Sequence, residues 1–333
     1  MRVYNEQDAS LLPLQDRLIA VLGYGRFGRP LALNLRDSGA SVIIGNIADS
    51  YADDAQKDGF MVYPIAEATR QANIIYMAMP NEVMPTTYLN EIAPHLTTGD
   101  LLLFGSGYNL AYQMIEPPVF VDVGLITPRT MASNIRTAYV SGVGYQAYLC
   151  LHQRTTQEAL ERLLAVALAS GALRQGALEL NVAQEVTLDL FMQQALLPAL
   201  HAVLLAAASA LQDEGLPSEA ILMELYLSGE LSTFFNMGAN LGLIATIEDL
   251  SLTGQYGLLT RTERFQETKM LYHMDAILEG IRHGHFAQEW ADEFADGLPR
   301  LKRMRDKLKA TTLWKLEETM LRMAEEAEES GEG

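Results

Sequence analysis

The sequence predicts an α/β amino-terminal half built on a doubly wound parallel sheet, followed by an all-α half. Three observations carry this. Short apolar runs alternate with helical spacing up to about residue 171, strand signals stop near residue 181, and a glycine-rich turn joins the first run to the first helix. RLIAVLG (17–23), SVIIGN (41–46), NIIYMAMP (73–80), DLLLFG (100–105) and VFVDVG (119–124) each read as a buried strand, with AYLCLHQ (147–153) as one more. RPLALNLRDSG, DDAQKDGF and TQEALERLLAVALASG carry helical spacing between and after them. Strand–helix alternation of this kind implies parallel strands covered on both faces.

The later segments, 182–215, 218–235, 264–284 and 299–329, have helical periodicity throughout. The chain has 333 residues, more than one core usually holds. The expected division is 1–178 for the α/β domain and 179–324 for the helical domain. An acidic, disordered tail, EEAEESGEG, is expected over 325–333.

A net charge of −18 argues against nucleic acid and anionic membrane surfaces as partners. The single cysteine, Cys150, lies in an apolar run, which excludes an intrachain disulfide and reads as a buried, inert thiol. The first sixteen residues are too polar for a signal peptide, so the expected location is cytoplasmic. ALLPALHAVLLAAASAL (195–211) approaches the length of a membrane span but contains Pro198 and His201, and reads better as a buried core helix.

Gly23, Gly25 and Gly28 fall in the order GxGxxG, after a strand pattern and at the opening of a helix pattern. That context is what the motif's mechanism requires. Gly23 makes the turn, Gly25 admits a pyrophosphate, and Gly28 lets helix and strand pack, so that the anion rests on a helix N-terminus. Tyr24, Arg26 and Phe27 complete the loop. A ribose-selecting carboxylate is expected about 20 residues on, where Asn46, Asp49 and Ser50 stand. No Arg or Lys occurs between Arg36 and Lys57, so the local charge favours NAD(H) over NADP(H); Arg26 is the counter-argument. Pro80, Ser106 and Asn109 are further candidate cofactor contacts.

Taken together, GYGRFGRPLALNLRDSG, MPNEVMPTTYLNEIAPHL, FGSGYNL, IEPPVFVDVGLITPR, DLFMQQ, LTGQYG and GIRHGHFAQEW resemble ketol-acid reductoisomerase of the short form, in order and over about residues 15–320. The resemblance implies a Rossmann domain followed by a helical domain that interlocks with a second copy. It also implies two Mg²⁺ ions held by four carboxylates, an alkyl migration, and reduction of a 2-keto acid by a nicotinamide. Asp189 and Glu224 match two of those carboxylates, whereas Gln193 and Ser228 stand at the other two. Ser106 replaces the family's histidine and Arg129 its lysine; Ser251 matches the substrate-contacting serine.

Two carboxylates leave most of the charge of two divalent cations uncompensated. A dinuclear magnesium site is therefore not expected; at most one weakly held ion at Asp189 and Glu224 is. The alkyl shift depends on paired metals, whereas hydride transfer asks only for placement and charge stabilisation. The leading expectation is an NAD(P)H-dependent reductase of a small keto acid or imine. Arg129 is expected to clamp the substrate, Asp189 to donate a proton, and Glu224 and Ser251 to complete the site. Ser106 and Tyr108 are available as hydrogen-bond donors. The alternatives are a nucleotide-binding pseudoenzyme and a genuine reductoisomerase with an altered metal site.

Overall fold

The computed structural model describes residues 1–265 and 268–330. The chain divides into two compact units, Met1–Asp189 and Leu190–Gly333.

The first unit is built on one nine-stranded sheet. Its strands are β1 (Val3–Tyr4), β2 (Leu18–Leu22), β3 (Ser41–Gly45), β4 (Val62–Tyr63), β5 (Ile74–Met77), β6 (Leu101–Phe104), β7 (Asp122–Pro128), β8 (Ala147–Gln153) and β9 (Ala177–Glu179). Their order is β1-β9-β8-β7-β6-β5-β2-β3-β4. The run β7-β6-β5-β2-β3-β4 is parallel throughout. Ile19, Ile74, Leu101 and Leu103 are fully buried, as strands covered on both faces require. The helices of this unit are α1 (Gly28–Asp37), α2 (Ser50–Lys57), α3 (Ile65–Gln71), α4 (Met84–Thr87), α5 (Tyr108–Ala111), α6 (Ala132–Val140), α7 (Ala159–Ser170) and α8 (Val182–Phe191).

Two details depart from the sequence expectation. The strand expected over 119–124 begins at Asp122 and runs to Pro128. Its first residues are held outside the ladder, because Gln153 Nε2 and Thr155 Oγ1 donate to the Pro118, Val119 and Val121 carbonyls. In addition, β8 runs antiparallel to β7. Gly142 (φ 80°) and Gly144 (φ 72°) take left-handed conformations that turn the chain back after α6.

At the foot of the sheet, Asp122 is fully buried and pairs with the buried Arg162 of α7. Arg162 Nη1 also donates to the Gly99 carbonyl at 2.8 Å, and Thr156 N donates to Asp122 at 2.9 Å. The pair ties α7 to the start of β7 and to the turn before β6.

The described part of the second unit is helical: α9 (Leu197–Asp213), α10 (Ser218–Leu222), α11 (Glu230–Leu241), α12 (Leu252–Thr262), α13 (Thr268–Arg282), α14 (His285–Ala295), α15 (Pro299–Lys309) and α16 (Thr312–Ser330), with 3₁₀ and π turns between them. Two π-helical turns interrupt the α geometry, at Met192–Leu196 and Met223–Leu227. The helix expected through 218–235 is broken at Gly229, whose φ is 78°. The tail is helical through Ser330, since its Glu and Ala residues are strong helix formers; residues 331–333 lie outside the described residues. The apolar run 195–211 is not a core helix. The helical stretch Val182–Asp213 is long and apolar enough to cross a membrane, yet its most apolar window is only 11% buried. Leu197, Leu200 and Val203 are exposed among the described residues.

Removing one partner of the buried ion pair strands the other charge. Arg162→Met should cost about 3–5 kcal/mol, whereas Arg162→Met combined with Asp122→Leu should recover part of that loss. Urea unfolding followed by a probe in the first unit measures both.

Candidate functional site

The carboxyl ends of β2, β3, β5 and β6 form one rim of the sheet, and a cleft of about 840 Å³ opens along it. The turn from β2 into α1 supplies the near wall. Gly23 has φ 100° and donates its N–H to the Gly45 carbonyl at 2.8 Å. A Cβ on Gly28 would lie 1.9 Å from the Gly23 carbonyl oxygen, so only glycine permits this approach of helix to strand. A Cβ on Gly25 would meet nothing within 4 Å, and Gly25 borders the cleft. The three glycines thus take the roles of turn, open face and close approach that a pyrophosphate-binding loop requires. The side chains and open backbone here fit a dinucleotide.

The loop is braced from behind. Tyr24 N donates to Asn46 Oδ1 (3.1 Å), and the Tyr24 hydroxyl donates to Asp58 Oδ2 (2.8 Å). Arg29 binds the same carboxylate through two nitrogens, at 2.7 and 3.1 Å. That pairing holds the Asp58 carboxyl below the usual carboxylate range, while burial and Asp58 push the Tyr24 hydroxyl up.

At the far end, Asp49 caps α2, accepting from Tyr51 N (3.0 Å) and Ala52 N (3.1 Å). It also accepts from Asn46 Nδ2 at 2.8 Å. Asn46 and Asp49 both border the cleft, as do Tyr24, Arg26, Phe27, Pro80 and Ser106. Arg26 is the one basic side chain along its described lining.

Three expected contacts are placed elsewhere. Ser50 is exposed as the first residue of α2 and does not border the cleft. Asn109 is fully buried, and its Nδ2 donates to the Asn81 carbonyl (3.1 Å), so it shapes the loop after β5 from beneath. Tyr108 also faces inward, with its hydroxyl buried and lacking a hydrogen bond; burial pushes that hydroxyl up to about 12. The short helix α5 turns both side chains away from the cleft.

Beyond Phe27 and Ser106 lies a smaller pocket of about 160 Å³, bordered also by Thr127, Arg129, Thr130 and Asp189. Arg129 does not stand as a free clamp. Its Nη2 donates to Asp189 Oδ1 at 3.1 Å, and its guanidinium carbon lies 4.9 Å from the Tyr148 ring centroid. Both side chains are about one quarter exposed.

One functional candidate escapes the sequence reading. Helix α8 opens with a reciprocal cap, in which Gln184 N donates to Asn181 Oδ1 and Asn181 N donates to Gln184 Oε1. The cap fixes the helix phase, so Glu185 points inward one turn before Asp189. Glu185 is 1% exposed, and its Oε2 accepts from Gly107 N at 2.9 Å. Burial first, and the Asp189 charge second, push its carboxyl up to about 7; the Gly107 N–H, Arg129 and Thr127 act against them. The signal was present in the sequence. Glu185 shares a stripe with Val182, Val186 and Leu190, all buried, and an acid inside an apolar stripe is informative.

In the second unit, Glu224 is exposed within the π turn, and Ser251 caps α12 by accepting from Gly254 N at 3.1 Å. The π turns alter the facing of i and i+4 residues on which the comparison of Asp189 with Gln193, and of Glu224 with Ser228, rested. Among the described residues of either unit, no group of three or more His, Cys, Asp or Glu side chains is placed to hold a metal. His283 and His285 flank Gly284 (φ 72°) with their rings stacked at 5.7 Å, and both are exposed. Cys150 is buried, which pushes its thiol up to about 11.

Fold and rim together define a dinucleotide-binding class: a doubly wound sheet with a glycine-loop cleft, followed by a helical unit. Comparison with known proteins specifies the family. Residues 13–176 match the acetohydroxy acid isomeroreductase NADPH-binding domain, and residues 182–326 match the ketol-acid reductoisomerase C-terminal domain. The ketol-acid reductoisomerase (NADP(+)) of Methanopyrus kandleri is 36% identical over 97% of this chain and 98% of its own. That of Caldivirga maquilingensis is 35% identical over 92% and 94%. The structure of an NADH-preferring ketol-acid reductoisomerase from an uncultured archean superposes with a TM-score of 0.91, at 30% identity over 97% of this chain and 99% of that one. The chain belongs to the ketol-acid reductoisomerase family and is an NAD(P)H-dependent oxidoreductase.

The raised Glu185 carboxyl has a measurable consequence. Between about 4.5 and about 7 the unfolded chain ionises this group while the folded chain keeps it protonated. The folded state then binds more protons, so this contribution to stability is full below pH 4.5 and is lost as pH rises to 7. Relative to Glu185→Gln, the wild-type melting temperature should therefore fall across this window in thermal scans at fixed ionic strength.

Proposed function

We propose that the chain reduces a small 2-keto acid or cyclic imine with NADH, without the magnesium-dependent alkyl migration. The observation that carries this is the Arg129–Asp189 pair. A guanidinium already binds one Asp189 carboxylate oxygen, both residues border the small pocket, and the neutral Gln193 and Ser228 stand where the family resemblance implies carboxylates. These donors do not fit two divalent cations, which require oxygen ligands of compensating charge. No step of the proposed reaction passes through a metal.

The nicotinamide, when bound, supplies a hydride. The chain's own residues do the rest. Gly25 and the N-terminus of α1 receive the pyrophosphate, and Asn46 and Asp49 meet the ribose at the far end of the cleft. Asp49 would repel a 2′-phosphate, which supports NADH over NADPH. The solved NADH-preferring relative points the same way. Arg129, braced by Asp189 and Tyr148, stabilises negative charge that develops on the substrate oxygen.

A genuine reductoisomerase is the second reading, supported by the activity named for the relatives at 35–36% identity. We further propose that a second copy of the chain covers the exposed apolar face of α9 in a homodimer, because Leu197, Leu200 and Val203 face outward together.

The test combines cofactor and substrate. NADH should bind more tightly than NADPH in fluorescence titrations. NADH oxidation should proceed with 2-keto acids or cyclic imines in the presence of EDTA, and 2-acetolactate with Mg²⁺ should give no turnover. Turnover of 2-acetolactate that is abolished by EDTA establishes the second reading and removes the first. Absence of any turnover, with NADH still bound, leaves the chain a nucleotide-binding pseudoenzyme.

A further inference from the structure

Helix α2 holds Tyr24 from both of its ends. Tyr24 lies in the turn from β2 into α1 and is 1% exposed, whereas Gly23, Gly25, Arg26 and Phe27 around it are not fully buried. Its backbone N–H donates to Asn46 Oδ1, and Asn46 Nδ2 donates to Asp49, which caps the start of α2. Its hydroxyl donates to Asp58 Oδ2 at 2.8 Å, and Asp58 is the C-cap of the same helix. The ring meets Phe60 edge-on, with centroids 5.7 Å apart. A helix of eight residues, about 12 Å long, thus grips one residue at two points.

The carboxylate of Asp58 stands where a helix disfavours it. The C-terminus of α2 carries the negative end of the helix dipole, so an acid there needs compensation. Arg29, in the first turn of α1, supplies it through two nitrogens, at 2.7 and 3.1 Å. Arg36, in the last turn of α1, donates to the Asp58 carbonyl at 2.6 Å, and its guanidinium lies 4.6 Å from the Phe60 ring centroid. Asp58 therefore joins the end of α2 to both ends of α1, with the Tyr24 hydroxyl as a further partner. Glycine loses more freedom on ordering than other residues, so a turn bounded and centred by Gly23, Gly25 and Gly28 needs an anchor. Tyr24 is that anchor.

We infer that Asp58 is a positioning residue for the coenzyme: from outside the cleft it fixes Tyr24, and through Tyr24 the backbone of the turn that receives the pyrophosphate. Asp58 does not border the cleft, whereas Tyr24 and Gly25 do. The inference concerns coenzyme binding and holds whichever substrate the chain reduces. Without the Asp58 contact, Tyr24 keeps its backbone bond to Asn46, and the ribose end of the cleft keeps its shape. What is lost is the orientation of the Tyr24 ring, and with it the fixed course of the backbone through Gly25. Binding must then order the turn, which a preorganised site has already done. The effect is confined to the pyrophosphate and leaves the adenosine half alone.

The test is equilibrium binding to the full-length protein, by fluorescence with NADH and by calorimetry with ADP-ribose and adenosine. ADP-ribose carries the pyrophosphate and adenosine lacks it. Asp58→Ala and Tyr24→Phe should each raise the Kd of NADH and of ADP-ribose about tenfold, the scale of one lost hydrogen bond to a charged group. Combined, they should raise it no further, because both remove the same contact. Asp58→Asn, which keeps an acceptor for the Tyr24 hydroxyl, should recover most of the affinity. Adenosine should bind every variant as it binds the wild type. The inference is overturned if Tyr24→Phe holds NADH within about twofold of wild type, or if the double variant loses the product of the two single losses. Adenosine affinity that falls in step with ADP-ribose overturns it as well. Should Asp58→Ala fail to fold, Tyr24→Phe and Asp58→Asn carry the test, since each changes a single polar group. A wild type that binds neither NADH nor ADP-ribose removes the coenzyme site itself, and the inference with it.

Discussion

The approach of Gly28 to the carbonyl of Gly23 is the constraint from which the first unit's site follows. A methyl group at this point would sit 1.9 Å from an oxygen, so the sequence has no freedom there. Once the contact is made, the N-terminus of α1 is fixed at the sheet rim, Gly25 is left facing open space, and Phe27 is carried over the end of β6. Gly105 then has to be glycine as well, because a Cβ there would lie 2.6 Å from the Phe27 ring. The ring becomes the partition between the long cleft and the small pocket, both of which it borders. A backbone contact between two glycines therefore sets where the long cleft ends and where the small pocket begins.

Charge in the small pocket is nearly balanced by the protein alone. Arg129 is matched by Asp189, and Glu185 is held neutral through most of the physiological range below 7. A site designed around two divalent cations needs the opposite, a strong surplus of negative oxygen ligands. The guanidinium is also planar and stacked on Tyr148, which makes it a fixed directional donor rather than a mobile ion. On the proposed reading, such a pocket steadies a developing oxyanion through Arg129.

Much of this was legible in the residues. The apolar runs located six of the nine strands, because strands buried on both faces show as continuous hydrophobic runs. The glycine spacing located the cleft. Val3–Tyr4, Val62–Tyr63 and Ala177–Glu179 were not legible, since two- or three-residue strands carry no periodicity of their own. The antiparallel turn of β8 depends on left-handed glycines whose effect is three-dimensional. At the site, Asn46, Asp49, Arg26 and Ser106 were readable from their distance to the strand ends. The inward rotation of Tyr108 and Asn109 was not, because a four-residue helix has no phase in sequence. Glu185 was passed over for its neighbour Asp189, although its apolar company marked it as the buried member of the two. The π turns at Met192–Leu196 and Met223–Leu227 were equally hidden, and they weaken any argument that assumes 3.6 residues per turn through these helices.

On the proposed reading Asp49 has two tasks, and they pull in different directions for anyone who would alter the coenzyme choice. Its charge faces the end of the cleft where a ribose substituent would sit, while its carboxylate also closes the first turn of α2 and steadies Asn46. A swap to alanine would change the electrostatics but also unpin that turn, at about 1 kcal/mol. Serine keeps the capping oxygen and drops the charge, so it is the side chain through which recognition and local folding could drift apart.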